Sequence, residues 1–172
     1  MAHSPRTRPP GTGGDVPPRP PRLTSVTPDD ISKQIIEQLQ EDGRRSYASI
    51  GKAVGLSEAA VRQRVQRLQD TGVMQIVAVT DPLTLGFRRQ ALIAIKCDGD
   101  LEKLATHLAA MDEIDYVVIT AGSFDLLIEV VCESDDQLLE ILARVRSIPS
   151  VTATESFVYL RLCKQTYSWG TR

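Results

Sequence analysis

The stretch SYASIGKAVGLSEAAVRQRVQRL, residues 46–68, constrains the fold most, because it sets two short helical patterns on either side of Gly55-Leu56-Ser57. Ser46 and Ser57 suit helix starts, since a serine hydroxyl accepts from the bare amides of a first turn. Gly55 supplies the left-handed residue that a tight turn between helices needs, and Gly51 is small enough to let another helix approach. At about 100° per residue, Val61, Val65 and Leu68 gather on one side of the second helix and turn inward. The other side then holds Ala59, Gln63, Gln66 and Arg67, edged by Arg62 on one flank and by Arg64 and Ala60 on the other.

Such a pattern is a helix-turn-helix, and its charge names a partner class. Residues 44–67 carry Arg44, Arg45, Lys52, Arg62, Arg64 and Arg67 against the single acid Glu58, a net of +5 in a chain whose total is −2. Clustered cations attract a phosphate backbone wherever the overall charge lies, so a pI near 5.7 does not exclude DNA. Arginine and glutamine make two-pronged contacts with guanine and adenine edges, and Ala59 and Ala60 permit close approach or a contact with a thymine methyl. Arg44 and Arg45 suit phosphates, and Ser57 completes the candidate set. A solvated, arginine-rich αα-hairpin would share this charge over one helix. The glycine turn, the cap and the one-sided basicity together favour the DNA reading.

Length and charge asymmetry favour two small domains in 172 residues. Residues 89–172 hold 8 Lys and Arg against 13 Asp and Glu, which argues against a nucleic-acid surface there. Residues 1–28 contain eight of the ten prolines, with only Leu23 and two valines to bury, so residues 1–27 read as a disordered Pro/Arg-rich tail. No secretory signal follows its arginines, and no run approaches the roughly 18 apolar residues of a membrane span. The expectation is a cytoplasmic protein without a membrane partner. Cys97, Cys132 and Cys163 are far apart, with no C-x-x-C pair, and read as buried strand residues rather than a metal or disulfide site. No hydrolase, zincin or phosphate-loop motif is present, so neither an enzyme nor a cofactor is expected.

The helix-turn-helix domain is placed at residues 28–72. Its first helix opens at Thr27-Pro28 with Asp29 and Asp30 at the positive end, runs to about Glu41, and turns Ile31, Ile35, Ile36 and Leu39 to one face. Residues 73–88 read as a strand over Val73–Val79, the wing of a winged helix-turn-helix, followed by a hinge at Asp81-Pro82. Residues 89–172 then alternate as strand 90–97, helix 100–111, strand 116–121, strand 124–132, helix 134–147 and strand 151–162. That order, βαββαβ, is a ferredoxin-like sandwich, and the class is α+β. One helix brings Leu101, Leu104, Ala105 and Leu108 to the sheet, the other Leu138, Leu139, Leu142 and Val145. Leu92, Ala94, Leu127 and Val131 make the second sheet face semi-apolar, which either carries ordinary exposed hydrophobics or is covered by a second copy.

Several motifs together resemble the Lrp/AsnC, or feast/famine, family of transcriptional regulators. They are Asp30, Asp42-Gly43-Arg44, Gly55-Leu56-Ser57, Arg64-Val65-Gln66-Arg67-Leu68 and Gly72, and the resemblance covers residues 28–168. It implies a regulator that binds double-stranded DNA as a homodimer, with octamers common, and that answers to an amino acid bound near a T-G-x-[FY]-D loop. That pattern matches here at Gly122, Phe124 and Asp125, with Ser123 between, while Ala121 replaces the usual hydroxyl residue. On local evidence alone, residues 120–125 are equally a plain hairpin turn. The implied function is a sequence-specific regulator responding to an amino acid. The alternative is a nucleoid-organising DNA binder with little effector response.

Overall fold

The computed structural model describes residues 27–172. The expected tail lies outside them except for Thr27. The described residues divide into two compact units, one running to Val77 and joined by Thr166–Arg172, the other Ala78–Gln165.

In the first unit, helices α1 (Asp30–Glu41), α2 (Tyr47–Val54) and α3 (Glu58–Asp70) close on Ile35, Leu39, Ile50, Val61 and Val65, all buried. The start of α1 differs from expectation. Asp29, not Thr27, is the cap, its carboxylate accepting from the Ser32 amide at 2.8 Å, because an aspartate one residue before the helix reaches the orphan amide of the first turn. Ser46 and Ser57 cap α2 and α3 as their sequence suggests, accepting from Ser49 and Ala60 at 3.2 Å each. Gly55 has φ 72°, the left-handed conformation the turn requires. Gly51 serves a closer neighbour than another helix: a Cβ there would stand 2.5 Å from the Leu56 carbonyl oxygen. The turn folds back over Gly51, and the Leu56 amide donates to its carbonyl at 2.9 Å.

Residues 73–79 form no strand, so the strand expected over Val73–Val79, and with it a wing, is not formed. The apolar pattern was there, but a strand needs a ladder partner. Without one among the described residues, Val77 and Val79 stand 62% and 57% exposed. The turn signal at Asp81-Pro82 does act: the Asp81 carboxylate accepts from the Leu83 amide at 3.0 Å and starts a single 3₁₀ turn, Pro82–Leu85.

The second unit contains β1 (Arg89–Cys97), α4 (Leu101–Ala109), β2 (Ile114–Ile119), β3 (Leu126–Cys132), α5 (Asp135–Arg146) and β4 (Val151–Val158). The antiparallel sheet has the order β2-β3-β1-β4, the split β-α-β arrangement expected. Ala91, Ile93 and Ile95 of β1 and Leu126, Ile128 and Val130 of β3 are fully buried under both helices. Helix α4 contributes Leu104 and Leu108 as expected. Helix α5 is rotated from expectation: Leu138, Ile141 and Val145 face in, while Leu139 is 63% exposed. On the other face, Tyr116, Glu129, Leu92 and Phe157 lie opposite one another across β2, β3, β1 and β4. Cys132 is buried on β3 and Cys97 is half-buried at the end of β1, but Cys163 is exposed and lies beyond β4, against expectation.

Candidate nucleic-acid interface and effector loop

The face of α3 is built by the two helix caps and the Gly51 to Leu56 turn, which fix where α3 begins and which side it buries. Val61, Val65 and Leu68 are its buried residues, leaving Ala59, Arg62, Gln63, Gln66 and Arg67 exposed along one side. These five, with Asp70, line a single shallow, open surface. Arg67 and Gln63 make no side-chain hydrogen bond or ion pair among the described residues and are free to reach a ligand. Gln66 donates to Asp70 at 2.8 Å. Arg62 pairs with Glu58 at 2.9 Å and lies 5.2 Å over the Tyr47 ring, a cation–π contact that tethers it to α2. Ala60 is half-buried at the edge, and the Ser57 hydroxyl accepts from the amide of Ala60.

Arg64 does not join this surface. Its Nη1 donates to both carboxylate oxygens of Asp29, at 2.9 and 2.7 Å, and to the Ser32 hydroxyl at 3.1 Å. Hydrogen bonds from Ser32 first, and from Arg64 next, hold the Asp29 carboxyl well below the usual carboxylate range. A wheel carries the signal: Arg64 lies three residues after Val61 and four before Leu68, so it borders the buried stripe and meets what packs there. Asp29 is the residue that sequence reasoning missed as its partner. Arg44 and Arg45 also diverge. The Arg44 side chain is exposed, and among the described residues only its backbone amide is bound, to the Asp42 carboxylate. Arg45 pairs with Glu41 at 3.0 Å and donates to Gln38.

In the second unit, residues 120–125 join β2 to β3. The Thr120 hydroxyl donates to the Phe124 carbonyl at 2.7 Å, and the Thr120 amide to the Asp125 carbonyl at 2.9 Å. Ala121, Gly122 and Ser123 are exposed at the tip, and a Cβ on Gly122 would meet nothing within 4 Å. Asp125 is half-buried and engaged: its amide donates to the Ile95 carbonyl, and its Oδ2 accepts from the Cys97 amide at 2.9 Å. Cys97 lies where β1 shifts register against β4, so Asp125 satisfies an amide next to the bulge. Burial, then the nearby Asp125 and Asp98 charges, push the Cys97 thiol pKa up.

A capped three-helix unit presenting an arginine- and glutamine-bearing helix, carried in one chain with a βαββαβ sandwich, defines a helix-turn-helix DNA-binding transcriptional regulator. The comparisons place it further. An AsnC-type helix-turn-helix domain matches residues 29–69, and a C-terminal dimeric alpha+beta barrel domain matches residues 87–172. The chain belongs to the Lrp/AsnC family of transcriptional regulators. It is 33% identical over 140 residues to the HTH-type transcriptional regulator FL11 of Pyrococcus horikoshii, covering 80% of this chain and 93% of that one. Among solved structures, the leucine response regulatory protein LrpA of Mycobacterium tuberculosis matches with a TM-score of 0.74 and 28% identity, over 80% of this chain and 96% of the other. A Neisseria meningitidis transcriptional regulator in complex with L-Met shares the fold, with a TM-score of 0.69 at 24% identity, over 83% of this chain and 96% of that one. No helix among the described residues is long and apolar enough to cross a membrane.

Proposed function

We propose that this chain is a sequence-specific transcriptional regulator whose reading surface is Ala59, Arg62, Gln63, Gln66 and Arg67 on α3, and whose DNA binding responds to an amino acid held in the second unit. The carrying observation is that exposed face, with Arg67 and Gln63 unengaged beside small alanines. Free arginine and glutamine on a helix of this shape complement base edges in a major groove, arginine donating to guanine acceptors and glutamine pairing with both the acceptor and the donor of adenine. Arg44 adds phosphate contacts, and Ser57 positions the first turn.

For the effector, the exposed tip of Ala121, Gly122 and Ser123 leaves backbone groups open to a ligand, beside Phe124 and a carboxylate at Asp125. A fold-mate that carries L-Met makes a free amino acid the ligand class to try first. One Asp125 oxygen is committed to the Cys97 amide, so the carboxylate has its other oxygen to give an ammonium group. A homodimer through the Tyr116, Leu92 and Phe157 face, able to assemble further into octamers, gives the symmetric pair of recognition helices that two half-sites need.

The test is a gel-shift titration on the DNA upstream of the chain's own gene, with excess nonspecific competitor, repeated with each of the twenty amino acids. A competitor-resistant complex altered by one amino acid supports the reading. A smear that competitor abolishes, indifferent to every amino acid, leaves a nucleoid-organising binder instead.

A further inference from the structure

We propose that Arg64 is a positioning residue, a pin from α3 to the start of α1 that sets the angle of the recognition helix and contacts no DNA itself. This rests on the reading of α3 given above and assigns one of its arginines a different part in it.

The pin has three contacts on one nitrogen. Arg64 Nη1 reaches both Asp29 oxygens and the hydroxyl of Ser32, and the Ser32 residue is only 7% exposed. Asp29 has two tasks at once: its Oδ1 also caps α1 through the Ser32 amide. The same carboxylate therefore fixes where α1 starts and where the middle of α3 sits. Around this contact run Pro28, Gln63, Arg67 and Thr71, so Asp29 lies beside the flank of α3 that carries two reading residues. A tilt of α3 about Val61 and Val65 carries Gln63 and Arg67 off their base edges, since two-pronged contacts tolerate little misplacement. The hydrophobic driving force is non-directional, and helix crossing angles set by packing scatter by about 15–20°. A charged, three-acceptor contact at the α3 edge fixes it well.

The competing assignment is that DNA phosphate takes Arg64 away from Asp29 on binding. The two make opposite predictions for Asp29→Asn. This substitution keeps an acceptor for the Ser32 amide, so α1 remains capped, but removes the charge that holds Arg64. A pin that is loosened weakens specific binding. An arginine that is released strengthens it.

The experiment uses the full chain, Asp29→Asn, Arg64→Gln, Arg64→Lys and the double variant, each first checked for wild-type helical circular dichroism. Affinity is measured for the best duplex selected from a random pool by the wild type, and for a scrambled duplex of equal length, over a series of salt concentrations. We expect both single neutral variants to lose about fivefold on the selected duplex and little on the scrambled one, the scale of one partly exposed ion pair. The double variant loses no more than either single one, and Arg64→Lys recovers part of the loss. The salt slope on the selected duplex stays at the wild-type value. A variant that merely lowered the folded fraction would weaken both duplexes alike. Tighter binding by Asp29→Asn, or a salt slope that drops by about one for Arg64→Gln, overturns the pin. Should the wild type select no duplex at all, it is the sequence-specific reading that fails, and the scrambled-duplex salt slopes still decide whether Arg64 meets phosphate.

Discussion

Replacing Gly51 with alanine tests the geometry on which the helix-turn-helix rests. In an isolated helix the change stabilises, by about 1 kcal/mol, because glycine carries the larger backbone entropy. Here the added methyl stands 2.5 Å from the Leu56 carbonyl oxygen and 3.4 Å from its carbon. Those atoms are backbone in the turn, so no side-chain rotation relieves the contact. Overpacking of this kind costs about 1–3 kcal/mol, and pushing Leu56 away also strains the 2.9 Å bond from its amide to the Gly51 carbonyl, worth about 1 kcal/mol. The clash wins, for a predicted net loss of about 1–3 kcal/mol in urea unfolding followed by far-UV circular dichroism. Gly55→Ala gives the control: nothing lies within 4 Å of its Cβ position, so its cost is the strain of φ 72° alone, about 1–2 kcal/mol. A Gly51→Ala chain as stable as the wild type, or more so, would refute the turn geometry. Because the turn sets the start of α3, specific DNA binding should fall with stability in Gly51→Ala.

Arg67→Ala should weaken binding to the selected duplex by about 1–3 kcal/mol, provided its unengaged guanidinium makes a two-pronged base contact; an unchanged affinity in a gel-shift titration would remove it from the reading surface. Asp125→Asn keeps an oxygen for the Cys97 amide and should preserve the fold while abolishing an amino-acid response, whereas Asp125→Ala should also cost about 1 kcal/mol of stability by leaving that amide unpaired. A retained response in Asp125→Asn would place the effector elsewhere. Acid should destabilise the fold: Asp29 is lowered by Ser32 and then Arg64, and Glu113 by Arg144, so the unfolded chain takes up these protons first. Their stability is present at neutral pH and is lost as pH falls from the ordinary carboxylate range toward the lower folded values. Asp115, raised by burial and then by Glu129, acts in the opposite sense. Unfolding midpoints between neutral pH and about pH 3 should fall, and should fall less in Glu113→Gln, its baseline having lost the Arg144 pair.

Helix and strand order was legible because the periods were long and regular, and the failures have identifiable causes. Strand β4 stops at Val158, not Leu162, because its only neighbour is β1. The ladder runs out where Val158 meets Ala91, and after it only the Tyr159 amide still reaches Gln90. Apolar residues further on, such as Leu160 at 96% exposure, have no strand to pair with. In α5, Leu138-Leu139-Leu142-Val145 and Leu138-Ile141-Val145 both fit a helical period, and the fold buries the second set. At the loop between β2 and β3, the turn was legible but nothing showed that Asp125 binds the Cys97 amide, since a register shift between two distant strands leaves no local pattern.

The charge count over residues 44–67 illustrates the same limit and leads to a measurable number. Of its six cations, Arg62 pairs with Glu58 inside the window, but Arg45 pairs with Glu41 and Arg64 with Asp29, acids that a window beginning at Arg44 omits. Folding α1 against α3 brings Asp29 to the basic stretch. Arg44, Lys52 and Arg67 remain as the cations of that window with no carboxylate partner among the described residues. Each phosphate neutralised on duplex DNA contributes about 0.9 to the slope of log affinity against log salt, so with Arg67 given to a base edge, Arg44 and Lys52 account for a slope of about −1.8 per chain. All five cations other than Arg67 would give about −4.5. The measurement belongs on a chain lacking residues 1–24, whose four arginines would add their own term. A slope close to the smaller figure means that the ion pairs to Asp29, Glu41 and Glu58 survive in the complex. One near the larger figure means that DNA strips them, and the linear count then described the bound state better than the free protein does.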